Sequence, residues 1–343
     1  MKAYVLHGIN DIRYEEVKTP VPSAGEVLVS VKAAGICGSD IPRIYQTGAH
    51  THPIIPGHEF SGIVAETGKG TDERWKNKRV GIFPLIPCGI CVPCLQRKYE
   101  MCRQYSYLGS RKNGGFAEYA VVPADNLIEL PENVSYKEAA MFEPMAVAVH
   151  AMRRIKYTKQ DTIAVCGLGT IGILLTMFLL DAGFTNLFVI GNKEFQKEKV
   201  MALGLPERHY LDSKETDNVQ WIMEQTGGMG VDVFFECVGK NETISCAVYA
   251  TAPSGQICMV GNPGSDISLE KSVYWKILRN QLTITGTWNS SFMKESYDDW
   301  HYVLDRLGQE RITPARLISH ELALQNLEEG LKIMHDKTED YIK

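Results

Sequence analysis

The chain has 343 residues, with 36 basic against 41 acidic side chains, a net charge of −5, and nine cysteines. At about 100–200 residues per domain, this length suggests two domains with cores large enough to need no disulfide staples. An apolar share of 44% and a charged share of 22% exclude a disordered chain, and the acidic balance gives no electrostatic footprint for nucleic acid.

The opening Met1-Lys2-Ala3-Tyr4-Val5-Leu6 has no basic region followed by an apolar stretch and a cleavage site, so a cytoplasmic protein is expected. Cysteines kept reduced there bind metal or fill core more often than they pair. Up to about residue 150, short β-branched runs at 26–31, 62–65 and 116–122 alternate with glycine and proline punctuation. That pattern predicts a β-rich, barrel-like domain.

Within it, Cys37 stands in Gly35-Ile36-Cys37-Gly38-Ser39-Asp40, His58 and Glu59 in Pro56-Gly57-His58-Glu59-Phe60, and Glu143 in Phe142-Glu143-Pro144. A thiolate, an imidazole and a carboxylate are the ligand types of a catalytic zinc that keeps one position open. Spacing alone leaves that reading beside the plainer one, in which a lone cysteine and a distant histidine are core residues. Pro144 suits the first position of a helix, which predicts Glu143 at its N-cap. Cys88, Cys91, Cys94 and Cys102 form C-x2-C-x2-C-x7-C beside Pro87, Gly89 and Pro93. Four thiolates so spaced can close a tetrahedron around one zinc, a structural site. An iron–sulfur cluster is the competing metal reading, and a zinc ribbon for nucleic acid a third.

After Arg154 the apolar runs 162–166, 187–190, 231–237, 256–260 and 282–286 alternate with helical stretches, as in a doubly wound parallel sheet buried on both faces. The first enters Gly167-Leu168-Gly169-Thr170-Ile171-Gly172 and then a long apolar helix, the context a dinucleotide fingerprint requires. Gly167 allows the tight turn, Gly169 lets the backbone approach a pyrophosphate, and Gly172 permits close helix–strand packing. The phosphates would sit on the helix N-terminus at Thr170 and Ile171. The apolar run from Ile171 to Leu180 is about half a membrane span, so no membrane partner is expected.

The second strand should end in an acid for the ribose hydroxyls, yet the chain reads Gly191-Asn192-Lys193-Glu194, with Lys197 one turn on. A small residue followed by Asn192, Lys193 and Lys197 makes room for a 2′-phosphate and neutralises it, which predicts NADP(H) rather than NAD(H). The alternative is that Glu194 does the acid's work. Cys166, Cys237, Cys246 and Cys258 fall in or beside these elements, where small buried hydrophobes belong. Beyond Trp288 the pattern is helical, clearest over 297–307 and 322–335.

In this order, the three constellations resemble the zinc-dependent medium-chain alcohol and polyol dehydrogenases over essentially the whole chain. The resemblance implies an α/β fold, with a GroES-like β-rich catalytic domain at 1–150 and 290–343 and a Rossmann parallel-sheet domain at 151–289. It implies two zincs, a structural one on the four cysteines and a catalytic one on Cys37, His58 and Glu143, with Glu59 able to exchange as a ligand. Zinc would act as a Lewis acid in hydride transfer between a secondary alcohol and the nicotinamide. Ser39 would touch the substrate oxygen and pass its proton outward. Where many members place a relay histidine this chain has Pro42, so the proton leaves through Glu59, His50 or water.

The stretches Cys37-Gly38-Ser39-Asp40-Ile41-Pro42-Arg43-Ile44, Gly48-Ala49-His50 and Gly109-Ser110-Arg111-Lys112-Asn113 resemble the polyol-phosphate branch of that family. A phosphorylated polyol needs cationic anchors, for which Arg43 and Arg111 are the candidates; either is otherwise an ion-pair partner. Trp288, Asn289 and Phe292 are candidate pocket walls, or plain core. The alternative substrate is a free polyol, a secondary alcohol or an amino-alcohol such as threonine. Edge strands near 282–288 imply a homodimer or homotetramer.

Overall fold

The computed structural model describes residues 1–295 and 297–343, which form two compact units: Met1–Ala146 with Ser291–Lys343, and Val147–Ser290.

In the first unit, β1 (Lys2–Gly8) and β2 (Asp11–Glu16) make an antiparallel hairpin. There follow β3 (Glu26–Gly35), β4 (Glu59–Thr67), β5 (Arg79–Ile82), β6 (Leu85–Ile86), β7 (Ser106–Tyr107), β8 (Tyr119–Pro123) and β9 (Leu127–Glu129). Five of them form an antiparallel sheet in the order β8-β3-β4-β5-β9, while β6 and β7 pair apart from it. Val27, Val29, Phe60, Val64, Val80 and Ile82 alternate inward from three of its strands into one apolar cluster. The chain end returns to this unit. The helix Asp299–Gly308 buries Trp300 against Phe83, Phe142 and Phe292, and the helix Leu327–Asp336 packs Leu327 and Leu331 with Tyr4 and Leu6 of β1.

The ladder between β3 and β4 matters most, because it sets Gly35 opposite Glu59. The chain leaves β3 at Gly35 and re-enters the sheet at Glu59, so Cys37 and His58, each one or two residues beyond that pair, come together. Gly35 itself must be glycine: a Cβ there would lie 2.4 Å from a Glu59 carboxylate oxygen.

The second unit carries β10 (Ile163–Cys166), β11 (Leu187–Gly191), β12 (Tyr210–Asp212), β13 (Val231–Glu236), β14 (Thr251–Met259) and β15 (Thr283–Gly286). All pair in parallel, in the order β12-β11-β10-β13-β14-β15, which reverses direction between β10 and β13. This is the doubly wound dinucleotide-binding order, whose ligands lie at that reversal beyond the strand ends. Every residue of β10 and β11 is buried, as strands covered on both faces require. The expected strands are all present; β12, at three residues, is too short to show periodicity. Cys166, Cys246 and Cys258 are buried and Cys237 is half-buried. Among the described residues, no helix is long and apolar enough to cross a membrane.

Candidate functional site

The loop after β3 presents Cys37 through hydrogen bonds of its own. The Cys37 N–H donates to Asp40 Oδ2 at 3.0 Å, and the Ser39 hydroxyl donates to Cys37 Sγ at 3.3 Å. Asp40 is fully buried, accepts from the Arg43 guanidinium at 2.5 Å and lies 3.5 Å from His58 Nδ1. The donor atoms of Cys37, His58 and Glu59 all lie within 4.8 Å of one another. Burial opposes a charge on His58, but Asp40 and Cys37 outweigh it and hold the imidazole's pKa well above 6.5. His58 Nδ1 is buried with no hydrogen-bond partner. An imidazole beside a thiolate and a carboxylate is a donor set that suits zinc.

Glu143 stands at the edge of this group. It is buried, accepts from the Tyr107 hydroxyl at 3.0 Å, and its pKa is raised, chiefly by burial, with Glu59 adding to the rise and His58 opposing it. Tyr107 packs edge-on against His58, their ring centres 5.7 Å apart. The N-cap expectation for Glu143 is corrected. The helix runs Phe142–Arg153, so Glu143 and Pro144 both lie in its first turn, where a missing proline N–H costs nothing. Glu59 forms a buried ion pair with Lys343. Asp40, Tyr107 and Lys343 thus complete the site. Asp40 stood in a motif without a role, and the other two gave no local signal.

The two candidate anchors differ. Arg43 is ion-paired with Asp40 and only 17% exposed, so its charge serves the loop. Arg111 is exposed and lies over the Tyr105 ring, 4.7 Å from its centre, while Tyr105 in turn meets Tyr107 edge-on. His50 has its pKa lowered, first by burial and then by the positive charges of Arg111 and Arg43. Phe292 belongs to the aromatic core with Phe83 and Trp300, not to a pocket wall. Trp288, 57% exposed, and Asn289, whose side chain accepts from the Ser290 N–H, lie in the unit Val147–Ser290.

In the cysteine lobe the Sγ atoms of Cys91 and Cys94 are 3.4 Å apart, Cys88 and Cys94 3.9 Å, and Cys91 and Cys102 3.9 Å. Four sulfurs each about 2.3 Å from one zinc would stand about 3.8 Å apart, so the lobe fits a single ion. A cluster of several irons would force the sulfurs wider. Backbone N–H groups of Arg103 and Cys94 lower the Cys91 thiol to about 6, while burial pushes Cys94 up to about 12.

At the end of β10, Gly167 has φ +98°, and a Cβ there would meet Val238 at 2.4 Å. Gly169 caps the helix Thr170–Asp181 with open space beside its Cα, and a Cβ on Gly172 would fall 1.9 Å from the Gly167 carbonyl. First-turn amides have no acceptors within their own helix and attract an anion to this corner. β11 closes on Gly191 with no acid. The Asn192 N–H donates to Gln196 Oε1 at 3.2 Å and Lys193 sits at the N-cap of the helix Glu194–Ala202. Lys197 pairs with Glu207 at 2.8 Å, which takes it out of the expected phosphate set unless that pair opens.

The alcohol dehydrogenase GroES-like domain matches residues 23–132 and the zinc-binding dehydrogenase family matches residues 170–309. The chain is 29% identical to galactitol 1-phosphate 5-dehydrogenase of Escherichia coli K12, over 97% of this chain and 96% of that protein. The crystal structure of the Escherichia coli galactitol-1-phosphate dehydrogenase superposes with TM-score 0.91, covering 99% of this chain and 98% of that one. Sorbitol dehydrogenase of Bacillus subtilis is 30% identical, over 97% and 96% of the two chains. A zinc-binding dehydrogenase of Sinorhizobium meliloti bound to NADP (TM-score 0.89, 27% identity, 97% and 95% covered) and an alcohol dehydrogenase of Escherichia coli CFT073 with NADH (0.88, 28%, 100% and 97%) share the fold. With a GroES-like sheet bearing a cysteine–histidine–glutamate group, a Rossmann sheet and relatives matched end to end, the chain belongs to the zinc-type alcohol dehydrogenase family and is an oxidoreductase.

Proposed function

We propose that this oxidoreductase interconverts a secondary alcohol of a phosphorylated polyol and the corresponding ketone, using NADP(H). The observation that carries the substrate class is Arg111, an exposed guanidinium stacked on Tyr105, whose ring meets Tyr107, the hydroxyl donor to Glu143. A planar fork so braced suits a phosphomonoester, and the relative acting on galactitol 1-phosphate takes such a substrate. Gly191, Asn192 and Lys193 in place of a β11 acid favour the 2′-phosphate of NADP(H).

Cys37 and His58 with Glu59 or Glu143 would hold the catalytic zinc, and Cys88, Cys91, Cys94 and Cys102 the structural one. When bound, the catalytic zinc supplies Lewis acidity that makes the alcohol proton easier to lose. The protein's part is to hold its donors and move that proton. Asp40 fixes the Cys37 loop and sits against the His58 ring. The exposed Ser39 hydroxyl lies beside Cys37 to take the proton on. Of the onward routes, Glu59 is engaged by Lys343, which leaves His50 or water as the next acceptor.

Arg111→Ala tests the substrate class. Losing a charged hydrogen-bonding partner costs about 1.5–3 kcal/mol, so KM for a phosphorylated polyol should rise roughly 10- to 100-fold while KM for the free polyol stays put. Equal effects on both substrates would remove the phosphate reading. We further infer a homo-oligomer joined through β15.

A further inference from the structure

The strand order reverses between β10 and β13, so the turns leaving those two strands border the crevice in which a dinucleotide lies. The turn after β10 is the glycine loop. At the end of β13 stands Glu236, a carboxylate with no exposed surface. Its partners are donors of its own turn and the helix that follows. Oε1 accepts from the Val238 and Gly239 N–H groups, both at 2.9 Å, and from the Thr243 hydroxyl at 2.8 Å; Oε2 accepts from the Gly239 N–H at 3.1 Å. The Glu236 carbonyl accepts from the Val260 and Gly261 N–H groups, at 2.8 and 2.9 Å, in the turn after β14. An acceptor-only side chain suits such a ring of donors, whereas a glutamine would set its own NH2 against one of them.

The turn held in this way is packed onto the glycine loop. A Cβ on Gly167 would fall 2.4 Å from Val238 Cγ2 and 3.2 Å from the Cys237 carbonyl carbon, and one on Gly261 would lie 2.2 Å from the Gly239 nitrogen. The Cys237 N–H donates to the Cys166 carbonyl at 2.9 Å, tying the turn to the last residue of β10. Gly167 thus keeps its φ of +98° against a wall whose place Glu236 sets. We infer that Glu236 is a positioning residue for the coenzyme: by holding Val238 and Gly239, it fixes the wall against which the glycine loop keeps the shape that receives a pyrophosphate. The inference needs a dinucleotide at this corner and stands whichever of NADP(H) and NAD(H) is preferred.

The test reads the dissociation constants of NADPH and NADH, from the change in nicotinamide fluorescence on binding to the zinc-loaded enzyme, beside the thermal midpoint. In E236Q both constants should rise about 10- to 100-fold, the range spanned by one charged hydrogen bond, while their ratio stays that of wild type. The Thr243 hydroxyl also has the Lys240 carbonyl within reach at 3.0 Å, so T243V is the milder change and should raise both constants roughly 2- to 10-fold. T243S keeps the hydroxyl and should bind as wild type does.

Two results with E236Q would overturn the inference. Wild-type dissociation constants with a lowered thermal midpoint would make Glu236 a support of the fold alone. A rise for only one coenzyme would place its effect at the adenosine ribose, where the two coenzymes differ. Should E236Q fail to fold, T243V against T243S decides: weaker binding by T243V alone supports the inference, and equal binding by the two overturns it. Wild type that binds neither coenzyme would remove the dinucleotide reading itself, and with it the inference.

Discussion

Gly35 faces Glu59 across the β3–β4 ladder, and that single register brings together residues 21 positions apart, Cys37 and His58. The ligand blocks were legible in sequence because cysteine, histidine and glutamate between glycines are chemically conspicuous. Asp40, Tyr107 and Lys343 were not. A buried aspartate beside an arginine, a tyrosine on a two-residue strand and a lysine from the far end of the chain acquire meaning only from contacts. Arg43 shows the converse, since a residue suited to phosphate is tied to Asp40 instead. At this scale His301 gives a pH prediction. The hydrogen bond from its Nδ1 to the Asp298 carboxylate, at 2.9 Å, raises its pKa above 6.5 against the opposing effect of burial. A folded-state pKa above the unfolded one contributes stability that is complete below about 6.5 and fades as pH rises through the folded value. Denaturation midpoints should therefore decline as pH rises above about 6.5 in wild type, and decline less in His301→Gln. Equal slopes would show that the pair contributes nothing.

Elements were read best where period and punctuation agree. The runs that became β10 and β11 are continuously apolar, and the run that became β13 is broken only by Asp232 and Glu236; all are flanked by glycine or helix starts, and they needed no tertiary information. β3 and β4 extend past their apolar centres, because ladder hydrogen bonds carry polar and glycine residues along with them. The helix Phe142–Arg153 begins ahead of its proline, since the helix Tyr136–Ala140 just before it already sets the chain's direction. Among the described residues, β15 has a partner on one side only. Ile284 on it is 45% exposed, and Tyr274, Trp275 and Leu278 on the helix Lys271–Asn280 are also exposed. A bare apolar edge invites pairing. Light scattering should give a multiple of 38.3 kDa, and Trp275→Glu with Ile284→Lys should reduce it to 38.3 kDa. Wild type already at that mass would contradict assembly through this edge.

For the whole molecule, the order of motifs along the chain was enough to recognise a GroES-like sheet and a Rossmann sheet, because each motif carries its own structural context. The substrate is less legible, since it depends on how exposed side chains such as Arg111 and His50 are disposed in space, which no spacing reports. The coenzyme lies between these cases: the missing acid after β11 is plain in the sequence, but the pairing of Lys197 with Glu207 is not. The central claim is tested most directly by initial rates for galactitol 1-phosphate and galactitol, each with NADP and NAD, on enzyme carrying its full zinc complement. The account predicts the highest kcat/KM for the phosphorylated polyol with NADP, at least about tenfold above the other three combinations, the gain expected from one charged contact. Faster turnover of free galactitol, or a preference for NAD with the phosphorylated substrate, would contradict it.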